Sequence, residues 1–345
     1  MLRACRRLFV TFLLILFFTP FSQASEKSAQ DSEGAPIDVM GKVVDHNKVS
    51  TPFGYIHLPR ILLVDGSFHV FSSTESAVAS DEFVKKDGAL LAVSGAPITL
   101  DLSITSHLVY VWLGLILTLF ITIAMARKYK KGVGRETEPK GWFQNLFEIT
   151  FVFVRDDIAK QNIPDEKYQK FVPYLFAVFV SIAFMNLFGL LPWGATATAD
   201  ITVTAILAFI TFIITQWNGS KDHWEHVFWF PGVPPLMRII LTPIEIIGLF
   251  TKPFALAVRL FANMLSGKIM IICILGLIFI FADIFGSIAG VGVSFFSVPL
   301  TAVLYILKAF VGLLQAYIFA LLSAVFIGMA AEEHEHHEEG IEAHA

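Results

Sequence analysis

From Pro234 to Asp283 the sequence runs almost without charge, interrupted only by Arg238, Glu245, Lys252, Arg259 and Lys268. An apolar helix crosses a bilayer in about 20 residues. This stretch is more than twice as long, and no hydrophilic turn divides it. The Gly- and Ser-containing segment 286–297 is the first good break, and a second long apolar run, Pro299 to Ala330, follows it. Such lengths predict a pair of strongly tilted helices within the membrane rather than upright spans.

The remainder of the chain agrees with a lipid environment. Of its 345 residues, 55% are hydrophobic and 16% charged, against about 45–50% apolar and about 25% charged in soluble domains. The net charge of -4 gives no footing for nucleic acid as a partner. Three shorter apolar runs are expected to span: about 106–126, 171–193 and Ile201 to Trp217. Arg127, Lys128, Lys130, Lys131 and Arg135 follow the first run and mark that end as cytoplasmic. Residues 141–160 carry Trp142, Phe143, Leu146, Ile149, Phe153 and Val154 at helical spacing and predict an interfacial helix. A loop, GATATAD, precedes Ile201. A polar cytoplasmic loop with Lys221, Asp222, His223, Glu225 and His226 follows Trp217.

Residues 1–24 have the form of a secretory signal peptide. Arg3, Arg6 and Arg7 begin it, Leu8 to Phe18 form the apolar core, and Ser22-Gln23-Ala24 is the cleavage site. The alternative is a retained anchor, against which the core is short. Residues 25–100 are mixed and polar, and ILLV, Asp65-Gly66 and SFHVF predict a hairpin in a small extracytoplasmic domain. His46, His57 and His69 are read as surface residues rather than as a ligand site. Residues 101–331 make the membrane domain. Residues 332–345 are an acidic cytoplasmic tail, read as a solubilising segment rather than a metal site. No internal duplication is evident, which weakens a duplicated-transporter reading, and no phosphate-cradling GxxxxGK[ST] loop is present.

The predicted fold is therefore an all-α polytopic membrane protein with about five membrane-embedded helices. Two of these are long and strongly tilted, and a small N-terminal domain with β content precedes them.

Glu245, Lys252, Arg259 and Ser266 are spaced by seven and share one slowly drifting helix face, with Asn263 beside them. Thr301, Lys308 and Gln315 repeat the spacing on the last run. Lys252 and Lys268 suit snorkelling to head groups. Arg259 suits it less, because the uncharged sequence beyond it is long and an arginine does not shed its proton. Intramembrane charges usually face a cavity or a partner. Glu245 lies fourteen residues from Arg259, about 21 Å along a helix, so a carboxylate on another chain is the natural partner. For Asn263 and Gln315, helix–helix hydrogen bonding competes with an ion-path role.

LTPIEIIGLFTKPFALAVRLFANMLSGKI resembles the signature region of subunit a of the F-type ATP synthase. MNLFGLLPW at 185–193, LLQAYIFALLSAVFIGMA at 313–330 and EEH at 332–334 share the resemblance, which covers about residues 100–335. It implies a stator subunit of a bacterial inner membrane that carries protons through two offset half-channels and performs no catalytic chemistry itself. The implied partners are the c-ring, the peripheral-stalk b subunits and, indirectly, the F1 sector; no cofactor is implied. Arg259 matches the family arginine that faces the ring carboxylates, Asn263 the asparagine one turn on, Gln315 the glutamine opposite, and Glu245 an acid near the cytoplasmic exit. Lys268 and Lys308 stand where many members carry a Glu/His pair in the outer half-channel. A relay there must use other groups, ordered water or a lysine that yields its proton, and Asp200 and Asp283 are the alternative outer acids. A membrane channel or solute transporter is the principal rival, and a scaffold protein the third reading.

Overall fold

The computed structural model describes residues 47–51, 54–80, 82–86, 89–93, 98–132, 141–191, 194–228 and 234–332. The expected signal peptide, His46, Arg135 and nearly all of the acidic tail lie outside these residues.

The N-terminal region is built from short antiparallel strands. These are β1 (Lys48–Thr51), β2 (Gly54–His57), β3 (Arg60–Val64), β4 (Ser67–Phe71), β5 (Phe83–Lys86), β6 (Ala89–Ala92) and β7 (Ile98–Asp101). One helix, α1 (Thr74–Ala79), lies among them. β3 is central, with β4 and β7 on either side. The expected hairpin is β3–β4. Asp65 at φ 48° and Gly66 at φ 79° make its turn, the two positive φ angles a tight hairpin needs. Alternation on β3 sends Leu62 and Val64 inward against Ala77, Phe83 and Leu90. Arg60 is buried beside them, and its guanidinium donates to Asp101 of β7 at 3.1 Å and to Thr74 at 3.3 Å. His57 and His69 pair separately with Glu75 and Glu82, and no metal-binding cluster occurs among the described residues.

Seven longer helices follow among the described residues. α2 is Ser106–Lys130, capped by Thr105, and ends in Arg127, Lys128 and Lys130, cations that suit a helix C-terminus. α3 is Trp142–Phe153 and runs on through a wider π turn, Val154–Ala159, to Asn162. α4 is Tyr168–Phe188 and α5 Ile201–Trp217. A 106° bend separates α5 from α6 (Lys221–Phe228). α7 is Pro235–Phe285, 51 residues, and α8 is Ser287–Ala331, 45 residues. At 1.5 Å per residue these two measure about 77 and 68 Å, more than twice a hydrocarbon core of about 30 Å. Four helices (α2, α4, α7 and α8) have the length and apolarity of membrane spans, and apolar α5, from whose end the polar α6 turns away, brings the candidates to five.

Between lipid-soluble helices apolar burial gives little net drive, so close packing of small residues holds them together. On α8, Gly312, Ala316, Ala320 and Ala324 recur every fourth position and are buried, and Gly312 lies against Asn186 of α4, with which α8 packs. Phe147 and Phe151 of α3 meet Phe176 of α4 edge-on, with ring centroids 5.1 and 5.5 Å apart.

Three local expectations change. The break at 286–297 is a single residue, Gly286, whose φ of 87° suits glycine; Ser287 to Ser297 are already helical, because small residues in lipid-embedded helices need no loop. The polar loop after Trp217 is helix α6, capped by Ser220 and tied to α8 by the Ser220 N–H bond to the Ala330 carbonyl at 2.7 Å. The expected apolar face of α3 divides. Trp142, Phe143, Leu146 and Ile149 are exposed, whereas Val154 is fully buried and Phe153 packs on Phe179 and Tyr317.

Candidate functional site: the polar seam of the two long helices

α7 has a buried side and an open side at mid-length. Leu256, Ala257, Leu260 and Met264 are at most 4% exposed. Arg259, Asn263 and Ser266 lie on the open side, as their spacing requires. Arg259 makes no ion pair with any described residue. Its charge therefore faces away from the chain that carries it. Glu245 and Lys252 are half-buried farther toward the start of α7.

The α8 stripe points the other way. Thr301, Lys308 and Gln315 are all buried. The two stripes meet at one height, where Asn263 donates through Nδ2 to Gln315 Oε1 at 2.9 Å. Asn263 is one turn beyond Arg259, so this bond holds the face on which the guanidinium stands. Gln315 Nε2 is buried and has no hydrogen-bond partner among the described residues. The stem of Lys308 lies over Gly267, where an added Cβ would stand 3.5 Å from its Cδ. Lys268 is the next residue, so the two lysines expected at the outer relay do come together.

Asp200 caps α5 through the Thr202 N–H at 2.7 Å, and its other oxygen stands 3.8 Å from Nδ1 of buried His107 at the start of α2. Asp283 is exposed near the end of α7 and makes no ion pair among the described residues.

Sequence reasoning did not single out several polar groups that the fold gathers. Thr198 donates to Asn186 Oδ1 at 2.5 Å, and Asn186 Nδ2 donates to the Gly312 carbonyl at 2.8 Å, one turn beyond Lys308. These atoms link the Asp200 turn to α8. An asparagine in an apolar span was the available signal. Gln216 and His223, across the α5–α6 bend, stand 3.2 Å apart through Oε1 and Nε2. Burial and then the Lys252 charge lower the His223 pKa below its ordinary 6.5, against the pull of Glu245.

A multi-pass helical bundle, with an outward guanidinium midway along its longest helix and polar side chains gathered between helices, defines a polytopic membrane protein that presents a charge to a partner. The family model described as "ATP synthase A chain" matches residues 108–328. The chain belongs to that family. It is 41% identical to ATP synthase subunit a of Chloroherpeton thalassium over 312 residues, covering 89% of this chain and 80% of the relative. The protein of the same name from Chlorobium phaeobacteroides is 38% identical over 327 residues, covering 92% of this chain and 82% of the relative. That from Myxococcus xanthus is 42% identical over 245 residues, covering 70% and 77%. With the first two relatives the similarity extends well before residue 101, beyond the membrane core expected to carry it. The chain is thus a multi-pass subunit of a proton-translocating ATP synthase complex.

Proposed function

We propose that this chain is the stator half of the ion path, with Arg259 between two offset half-channels and facing the carboxylates of a rotating c-ring. The observation that carries the reading is the outward position of Arg259, opposite a buried face and without an ion pair among the described residues. A fixed cation there favours the ionised form of a passing carboxylate. It promotes proton release and blocks direct passage between the half-channels. Each charge crossing 100 mV contributes about 2.3 kcal/mol, which biases rotation.

Asn263 and Gln315 hold the arginine-bearing face. Glu245 lines the inner path, and Lys268, Lys308 and Asp200 serve the outer one. Peripheral-stalk b subunits hold the stator, and the F1 sector is reached through them. The setting is a bacterial inner membrane. The N-terminus is periplasmic after removal of residues 1–24, residues 25–100 are extracytoplasmic, 101–331 form the membrane domain, and the tail 332–345 is cytoplasmic. The cations at the end of α2 support that orientation.

Arg259→Ala is the test. The complex assembles but ATP hydrolysis drives no proton uptake into vesicles. Normal pumping by assembled mutant complex refutes the reading. Arg259→Lys is also impaired, since a buried lysine can lose its proton.

A further inference from the structure

We propose that His107 is a positioning residue of the outer half-channel, where its buried ring holds the Asp200 carboxylate that meets incoming protons. The inference rests on the half-channel reading above and adds a residue to it. His107 stands in the first turn of α2, and Asp200 caps α5. Their contact, Nδ1 to Oδ2 at 3.8 Å, puts the starts of those two helices on one side of the membrane. The side chains are only 5% and 14% exposed, so salt and water screen the pair little. Asp200 has two supports for a negative charge. One oxygen accepts the Thr202 N–H at 2.7 Å, at a helix N-terminus. The other faces the imidazole, whose Nδ1 carries a proton in the imidazolium and in one neutral tautomer.

The backbone that carries the ring is fixed. Thr105 caps α2 by accepting the Leu108 N–H. The residues before it are stitched to the N-terminal strands: the Leu102 N–H donates to the Ile61 carbonyl at 2.9 Å, and the Ile104 N–H to the Pro59 carbonyl at 3.2 Å. Asp200 is fixed from the opposite side. The turn before it, residues 197–199, packs on α2, α4, α5 and α7. Within that turn, fully buried Thr198 donates to Asn186 Oδ1 at 2.5 Å, and Asn186 donates to the Gly312 carbonyl at 2.8 Å. Gly312 is one turn beyond Lys308, about 6 Å along α8. The carboxylate thus stands between the anchored start of α2 and a hydrogen-bonded link to the polar stripe of α8. Without the ring it keeps its cap bond, but its second oxygen loses the contact that turns it towards α2.

The test uses the intact complex in inverted vesicles, with assembly checked by membrane-bound ATPase activity. Passive proton conduction after removal of the soluble sector is measured for His107→Leu, His107→Asn and His107→Gln, with Arg259→Ala alongside. The asparagine amide nitrogen takes the place of Nδ1, and the glutamine amide that of Nε2. The expected result is a fall of about tenfold in conduction for the leucine and glutamine variants, while His107→Asn keeps most of the wild-type rate. His107→Leu combined with Asp200→Asn loses no more than the worse of the two singles, because both remove the same contact. If His107→Leu does not assemble, the contrast between asparagine and glutamine carries the test. Wild-type conduction in assembled His107→Leu, equal conduction by the asparagine and glutamine variants, or losses that multiply in the double variant overturn the role of His107. The half-channel reading stands in each of these cases if Arg259→Ala still abolishes pumping, and both fall if Arg259→Ala pumps normally.

Discussion

Asn263 of α7 and Gln315 of α8, fifty-two positions apart, share a hydrogen bond of 2.9 Å on the turn next to Arg259. Gln315 is 2% exposed and its second amide atom has no described partner, so Asn263 is the neighbour that satisfies its oxygen. Asn263→Leu leaves that oxygen buried and unpaired, a loss of about 1–3 kcal/mol. Asn263→Leu with Gln315→Leu is less destabilised than the sum of the singles, with a coupling near the ~0.6 kcal/mol average for bonds between membrane helices. Thermal denaturation of the purified complex for the four members of the cycle measures it. Strict additivity removes the bond from the account.

Lys308 is buried beside Lys268, over Gly267. A charge at that depth costs about 2.5–3.5 kcal/mol, so in the proposed ion path it serves transport rather than stability. Replacing both lysines with glutamine therefore leaves the complex as stable as before or more so, while ATP-driven pumping falls by about tenfold or more. Parallel melting and acidification assays separate the two effects. Unchanged pumping means that neither lysine belongs to the outer path.

His223 gives the α6 region a pH dependence of definite sign. Its pKa is lowered in the folded chain, first by burial and then by Lys252. Between that value and the ordinary 6.5 the unfolded chain binds more protons, so stability rises with pH there and is lost on acidification. Hydrogen-exchange protection of α6, after correction for intrinsic rates, falls when pH is lowered from about 7.5 to about 5.5. In His223→Gln the slope disappears. A slope that persists in the variant assigns it to another group.

Much of the architecture was legible because lipid makes simple demands. The apolar runs at 106–126, 171–193 and 201–217 became α2, α4 and α5 nearly as expected, since a span must close its own backbone hydrogen bonds. Asp65-Gly66 named its turn, because two positive φ angles leave few other choices. The outward setting of Arg259 followed from its seven-residue stripe. Other features depend on partners that are distant in sequence. Asn186 meets the Gly312 carbonyl across 126 positions, and no local pattern encodes that meeting. The short helix α6 depends on its tie to Ala330, which composition could not reveal. The turn at Gly286 was masked by neighbouring small residues that in this setting continue a helix.

The junction at Gly286 has a mechanical corollary. Two rods of 51 and 45 residues meet through one residue, so the hairpin carries no slack that could absorb a sideways load at that end. In the proposed ion path, a push delivered to α7 by the ring would pass directly into α8 and on into α4, which packs against it. The guanidinium would then stand on a stiff bracket, and the angular position at which a ring carboxylate meets it would be set by the protein rather than blurred by compliance.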